Sequence, residues 1–528
     1  MSRNPKLLAA RFPFMALVVA MAAGAFAPPA LARDAYVPNY GSKSVSVIDM
    51  DSNTVVKTIS VGNNPSSAAI TPDGKTVYVT EAGDNDVVRI KTARNEVVGE
   101  PIDVGTNPIG VAVTPNGSKV LVANNLGATI SVIDTTKNKV KPEAPLTGAA
   151  SLYAVAVEPD GDRAWAMSYG TDQIFPFEPG TGASSGSATN VGQKPSTMAF
   201  TPGGTGYVAN SIDGNVSVIN ASGAVVGSPI AVGSNPQGIA VAPVASRAYA
   251  SNGSTVGKVT VIDTSTNATV GSPISTGGDY PRGLAVTPSG GRVYVANASV
   301  GSNPGSVSVI DTSTNATVGS PISVGIGART VAIVPNQPPK AQFDVTLRGD
   351  PNTMTTFDAG FSTDPDGTVV RYDWGYGDGT LDPNAGSVPA HVYDRPGKYE
   401  VTVTETDNEG CSTTVVYTGQ TASCGGTDAA VATKTVKISF PKVKLKCKGS
   451  SHGKCKVTAT ALTKKNDGEK ASRPASAKIK PGKSKKVHLK IDSGYAADFA
   501  VKESAFVQIR AKAGGKTSTS VKKLQLIR

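Results

Sequence analysis

The side chains in this protein that could do chemistry are few, and their positions narrow what it could be. Its 528 residues hold three histidines (His391, His452 and His488) and four cysteines (Cys411, Cys424, Cys447 and Cys455). The first 390 residues contain none of the seven. A copper centre wants imidazole or soft sulfur ligands, and the commonest general base is a histidine, so both chemistries are closed to that stretch. The sequence has no phosphate-cradling glycine loop, no Gly-x-Ser-x-Gly elbow and no His-Glu-x-x-His. It has no Cys-x-x-Cys pair for zinc or redox work. Carboxylate chemistry stays open there, through residues such as Glu81, Asp84 and Asp86, with Arg89 close by. Later in the chain, Asp364, Asp366 and Asp373 gather hard oxygens around an Asp-Pro-Asp-Gly turn and are candidate calcium ligands, with a plain turn as the competing reading. His391 sits in a His-Val-Tyr run with no second imidazole or thiol beside it, and reads as a structural side chain.

Charge divides the chain. Residues 440–528 carry 23 Lys and Arg against five Asp and Glu, whereas residues 33–439 carry 25 against 35. The basic segment alternates: Val443, Leu445 and Cys447 lie between lysines, and Val487, Leu489 and Ile491 alternate with Lys486, His488 and Lys490. That is the period of strands with one apolar and one cationic face. Lys444, Lys446, Lys448, Lys483, Lys485 and Lys486 are the candidate contacts for an anionic polymer, and a merely solubilising surface is the alternative. Aromatics for base stacking are sparse, so no specific nucleic acid is expected. Cys411 with Cys424 and Cys447 with Cys455 are the simplest of the three pairings that four cysteines allow.

The front of the chain reads as an export signal. Arg3, Lys6 and Arg11 precede an apolar run from Phe12 to Ala27, followed by Ala30-x-Ala32. A 16-residue run is short for a membrane span, and no other stretch approaches that length. The expectation is a secreted, extracellular protein, free or associated with the cell envelope, without a span in the mature chain.

The elements that must carry these residues repeat. An aromatic-led motif recurs at Tyr36, Tyr78, Leu121, Trp165, Tyr207, Tyr249 and Tyr294, at intervals of 42, 43, 44, 42, 42 and 45 residues. Between occurrences the order is fixed: a strand ending in Val-Ile-Asp (47–49, 132–134, 261–263, 309–311), a Thr-Val segment, a Val-Gly-x-x-Pro turn as in Val104 to Pro108, and a strand running into Thr-Pro-x-Gly as in Val111 to Gly117. The fourth unit, with Trp165-Ala-Met-Ser168 and Ile174-Phe-Pro-Phe-Glu178, departs most. One block, VIDTSTNATVGSPIS, stands unchanged at 261–275 and 309–323. Runs of Val, Ile, Ala and Tyr separated by Gly, Asn, Asp and Pro are strands and turns. Four short strands cannot bury both their faces alone, so the units must stack, as blades of a propeller do. The first unit lacks its leading strand, and Thr330–Pro335 supplies one of that kind at the end, so the two ends are expected to share a blade. Seven blades follow. The recurring Asn residues, as in Tyr207-Val-Ala-Asn210, and the Val-Ile-Asp aspartates read as turn formers rather than as ligands.

With Tyr-Val-x-Asn, Val-Ile-Asp and Thr-Pro-x-Gly at fixed offsets in seven copies, residues 34–335 resemble the YVTN family of β-propellers. Residues 340–438 resemble a PKD domain, an Ig-like β-sandwich of extracellular proteins. That likeness rests on Phe357-Asp-Ala-Gly-Phe-Ser-Thr-Asp-Pro-Asp-Gly367, Trp374-Gly-Tyr-Gly-Asp-Gly379 and Val401-Thr-Val-Thr-Glu-Thr-Asp-Asn408. The family's usual Trp-Asp-Phe-Gly-Asp-Gly is altered here at its second and third places.

The reading is therefore an all-β chain in four parts. They are a secretory signal over 1–32, a seven-bladed propeller over 33–335, a PKD-like sandwich over 336–439 and a small basic β-domain over 440–528. Asn336-Gln-Pro-Pro-Lys340 is read as a linker. The function expected is non-enzymatic: the propeller and PKD-like modules present interaction surfaces, and the basic segment associates with an anionic envelope polymer, a polysaccharide or a surface protein. No cofactor is expected, calcium excepted. The propeller resemblance also implies an alternative, a lactonase-like hydrolase working at the channel.

Overall fold

The computed structural model describes residues 34–408 apart from 142–143, 244, 300 and 348–350. Beyond 408 it describes backbone strands, with side chains again at 432–436. The signal-like segment lies outside the described residues. Seven four-stranded antiparallel sheets follow one another in the propeller region, and no helix occurs among the described residues. Blade two shows the plan. Pro65–Ile70 is innermost, Thr76–Glu81 and Asp86–Lys91 follow, and Glu96–Val97 with Ile102–Asp103 forms the outer edge.

Both faces of a blade's middle strands are buried, which is why they read as near-continuous Val, Ile, Ala and Tyr. Each core cluster joins neighbouring blades. Tyr36, Val45 and Val47 of blade one pack with Ile70, Val77 and Val88 of blade two. The ring closes as its ends foretold: Ala332–Ile333 pairs with Asp34–Asn39 as the innermost strand of blade one. Flanking bonds from Arg329 N–H to Pro38 O and from Val334 N–H to Asp34 O extend that clasp.

A second closure runs through side chains. The motif tyrosines reach into the next blade and donate to an asparagine held in the left-handed backbone region. Tyr207 bonds Asn267 Oδ1 at 2.6 Å, Tyr294 bonds Asn53 Oδ1 at 2.7 Å across the clasp, and Tyr36 bonds Asn95. Asn53, Asn95 and Asn267 have φ near +50°, which asparagine tolerates better than most residues. The Val-Ile-Asp aspartates behave as expected. Asp49 Oδ1, for example, accepts the N–H groups of Asp51 and Ser52 and starts the turn.

The motif asparagines differ from the expectation. Asn39, Asn124, Asn210, Asn252 and Asn297 end their strands, and none has positive φ. Their amides donate to side chains on the next strand instead, as Asn39 does to Ser44 and Ser46 at 3.2 and 2.9 Å. Each leaves its Oδ1 buried without a partner.

The PKD region forms two facing sheets, one built on Met354–Asp358 and the other on Val369–Gly375 and Gly397–Asp407. Trp374 fills the space between them against Phe343 and Phe357, and its Nε1 donates to Gly386 O at 3.0 Å. His391 is structural: it stacks on Tyr376 at 4.1 Å and pairs with Asp378 at 2.7 Å. The segment read as a linker is bonded to both neighbours. Asn336 is buried and donates to Asp407 Oδ2 at 2.7 Å, while Gln337 Nε2 donates to Pro72 O of the propeller at 2.9 Å.

After residue 440, Lys442–Lys446 pairs with Ser484–His488. A separate four-stranded sheet runs Ala475–Ile479, Cys455–Leu462, Ser504–Ala513, Lys516–Gln525. The register sets Lys444 opposite Lys486, Leu445 opposite Lys485 and Lys446 opposite Ser484. Lys448 and Lys483 lie outside the described residues, as do the side chains of all four cysteines.

Candidate functional site

Seven inner strands surround a narrow central channel. The residue just inside each strand's start forms a ring around it: Ser66, Ile109, Tyr153, Ser196, Gln237, Arg282 and Arg329. The next residue along is small in every blade (Ser67, Gly110, Ala154, Thr197, Gly238, Gly283, Thr330) and forms the neck. Smallness there is a packing demand. A Cβ on Gly238 would stand 2.4 Å from the carbonyl oxygen of Arg282 in the adjoining strand, closer than any real contact. Hydroxyls tie the inner strands across blades. Thr80 bonds Ile109 O at 2.9 Å, and Ser251 bonds Arg282 O at 2.5 Å. The cavity left inside measures about 90 Å³, room for a few waters.

Two guanidinium groups meet at this ring. Arg282 and Arg329 sit on adjoining inner strands, joined by the bond from Gly283 N–H to Arg329 O at 2.8 Å. Arg329 lies flat over the Tyr40 ring at 4.1 Å and hydrogen-bonds Tyr153. Tyr153 stacks on Tyr169 at 5.2 Å, and Lys194 stands over the Tyr169 ring at 4.9 Å. Arg282 Nε is buried with no hydrogen-bond partner. No ion pair involves either arginine among the described residues. Burial, and then the neighbouring Arg282 charge, push the Arg329 pKa down. The channel lining contains no Asp, Glu, His or Cys.

The carboxylates expected at the channel mouth are elsewhere. Glu81 ends the second strand of blade two, and Asp86 begins the third, directly across the turn. Neither lines the channel. Glu81 Oε1 accepts the Gly62 N–H at 2.5 Å, and its carboxyl shares a hydrogen bond with Asp86. Burial first, and then this acidic neighbour, push Glu81 up to about 8. Asp84 faces outward, holding the Asn63 backbone and side chain at 2.5 and 2.6 Å, and these bonds keep its pKa low. Arg89 is a clear departure. It lies in the third strand, away from the channel, with its guanidinium packed on Gly99.

The calcium candidates do not gather into one set. Asp364 Oδ1 accepts the N–H groups of Asp366 and Gly367 at 3.2 and 3.1 Å, which is the plain turn. Asp366 lies beside it and takes the Gln337 N–H. Asp373 is turned away, held by Arg371 Nε at 2.9 Å and the Asn384 N–H at 2.8 Å. Among the described residues no three Asp, Glu, His or Cys side chains are grouped to hold a metal. Burial raises the pKa of Asp364, and nearby Glu405, fully buried and bonded to Ser362 at 2.6 Å, is pushed up to about 7.

Sequence reasoning missed Arg282, Arg329 and Tyr153. Little in the sequence marked them: Arg282 follows a turn proline, but Tyr153 and Arg329 follow Leu152 and Ala328, outside the Val-Gly-x-x-Pro pattern.

Comparison with known proteins agrees with this architecture. The model of the lactonase family, a 7-bladed β-propeller, matches residues 34–314, and that of the PKD domain matches residues 336–421. A microbial collagenase of Vibrio alginolyticus is 33% identical over 96 residues, which are 18% of this chain and 12% of that protein. The chain thus spans about an eighth of that relative's length. A functionally unknown protein from Desulfotomaculum acetoxidans superposes with a TM-score of 0.50 at 16% identity, over 57% of this chain and 98% of its own. The hydrazine synthase of Kuenenia stuttgartiensis gives 0.45 at 19% identity, over 50% and 88%. The first of these shows the propeller fold and nothing about activity.

Proposed function

The chain belongs to the lactonase family of seven-bladed β-propellers, and from that premise we propose that it is an extracellular binding protein rather than a hydrolase. The observation that carries this reading is the channel lining. It offers hydroxyls, tyrosine and two arginines, but no group that could serve as a general base or an activated nucleophile. The PKD domain and the stretch shared with a collagenase support an extracellular setting. In this proposal the propeller and the PKD domain present the recognition surfaces. The basic segment after residue 440 holds an anionic envelope polymer or polysaccharide through Lys444, Lys446 and Lys486, which share one face in the register, whereas Lys485 pairs with Leu445 on the other.

The test uses the full chain with the producing cell's envelope fraction. Binding should be strong at low salt and weak at high salt, because exposed charges are screened. Replacing Lys444, Lys446 and Lys486 by glutamine should reduce it several-fold. A panel of sugar lactones should show no turnover above buffer. Lactone turnover, or envelope binding indifferent to both salt and lysines, would sink the proposal.

One feature favours a second reading. Glu81 holds its proton at neutral pH beside Asp86, an arrangement in which one carboxyl could donate and the other accept a proton. A lactonase working there would turn over lactones and lose activity in Glu81→Gln.

A further inference from the structure

Arg282 and Arg329 are two neighbouring cations with no described counter-ion. Isolated buried cations are costly and are normally paired. Here Arg282 and Arg329 adjoin each other instead, and no described carboxylate forms an ion pair with either. Aromatic rings stand around the pair: Tyr40 backs Arg329, and Tyr153, on the inner strand of blade four across the channel, bonds Arg329 and stacks on Tyr169.

We propose that this end of the channel is a binding site for the carboxylate of an acidic sugar, with Arg282 and Arg329 holding the carboxylate and the tyrosines flanking the sugar ring. The acid group enters between the arginines and the sugar ring stays at the opening, because below it the inner strands close to a neck of small residues packed against one another. A planar guanidinium fork matches a planar carboxylate in two parallel hydrogen bonds, and both arginines are only half-buried as residues, which leaves part of each side chain open to a ligand. Tyrosine supplies a flat apolar face together with a hydroxyl, which suits a ring that is apolar on its faces and polar at its edge. The depressed pKa of Arg329 fits an uncompensated pair that a bound anion would relieve.

This inference goes beyond the binding-protein reading and shares only its premise that the propeller binds. Calorimetric titration of the full chain with glucuronate, glucose and inorganic phosphate, at low salt, tests it. Glucuronate should bind, and glucose should bind at least tenfold more weakly or not at all. Arg282→Gln and Arg329→Gln should each weaken glucuronate at least tenfold. Arg282→Lys keeps the charge without the fork, and should weaken it several-fold in a protein that melts as the parent does. Absence of glucuronate binding to the parent overturns the inference, and so does equal affinity for glucose. So does a site that takes phosphate but not glucuronate. Unchanged affinity in Arg282→Lys and either glutamine variant moves the site off these residues and overturns it as well. Lactone turnover by the parent would remove the non-enzymatic reading while leaving this contact standing.

Discussion

Blade two's Glu81 corner and the Arg282–Arg329 corner of the channel are both departures from one repeat, and they differ in what surrounds them. At the end of the second strand, five blades carry an asparagine that bonds the neighbouring strand, and blade four carries Ser168. Blade two carries Glu81 and meets Asp86 where Asn39 of blade one meets Ser44. The resulting acidic pair neutralises itself by keeping a proton, because burial and a like charge both favour the protonated form. The arginines have no comparable escape, since a guanidinium does not give up its proton in proteins. Acid pairs in a repeat scaffold can therefore be self-satisfied, whereas paired arginines point outward to a ligand.

The largest effect expected along this comparison comes from the neck. Gly238→Ala places a methyl 2.4 Å from the carbonyl of Arg282 and 3.0 Å from Gly283 Cα. Two inner strands must then part, which should cost about 1–3 kcal/mol in chemical denaturation. It should also weaken anion binding without touching a guanidinium. If stability is unchanged, the inner ring is looser than the contacts imply.

The next effect is on pH. Glu81 has a folded value of about 8 against an ordinary 4.5, so it binds its proton more tightly folded than unfolded. Its contribution is therefore fully present below about pH 4.5 and is lost as pH rises towards 8. Glu405 in the PKD region works in the same direction up to about 7. The melting temperature should fall from pH 5 to pH 8.5, and Glu81→Gln, which imitates the protonated acid, should flatten part of that fall. A parallel pair of curves would mean that Glu81 ionises freely and that the two corners do not differ in kind.

Smaller effects separate sites within one column. Tyr207→Phe removes the bond to Asn267 and should cost about 0.5–1.5 kcal/mol. Tyr249→Phe should cost less, because the matching Asn315 Oδ1 has no partner. Equal losses would show that the tyrosines act by packing alone. Smallest of all, Lys75→Ala breaks an exposed pair with Asp73 (3.1 Å) and should change stability by less than about 0.5 kcal/mol. Thermal melts of the three variants side by side provide the measurement.

The propeller was legible because its information is local and repeated. Alternating apolar runs, turn-starting Val-Ile-Asp aspartates, and a missing first strand answered by a spare last one are all visible without coordinates, whereas the left-handed asparagines are Asn53, Asn95 and Asn267 rather than those of the motif. Trp374 and its aromatic neighbours likewise marked the PKD core. The site was harder to see, because a strand's period says which residues share a face but not which strand edge faces the axis. Glu81, Asp84, Asp86 and Arg89 lie within nine residues of sequence and look like one constellation, yet the blade sends them to three places: a buried pair, an outer turn and a third strand. Asp364, Asp366 and Asp373 divided in the same way once Arg371 took the third.

The sequence by itself determined the number of blades, their strand order, the way the ring closes and the sign of charge along the chain. Each of these follows from nearest-neighbour chemistry repeated at a fixed interval. Only the tertiary structure decided that Arg282 and Arg329 stand together, because they are 47 residues apart and meet only when the seventh blade closes against the first. It also decided that no described carboxylate pairs with either. That depends on which groups ring closure brings within a few ångströms, and no strand carries that information alone.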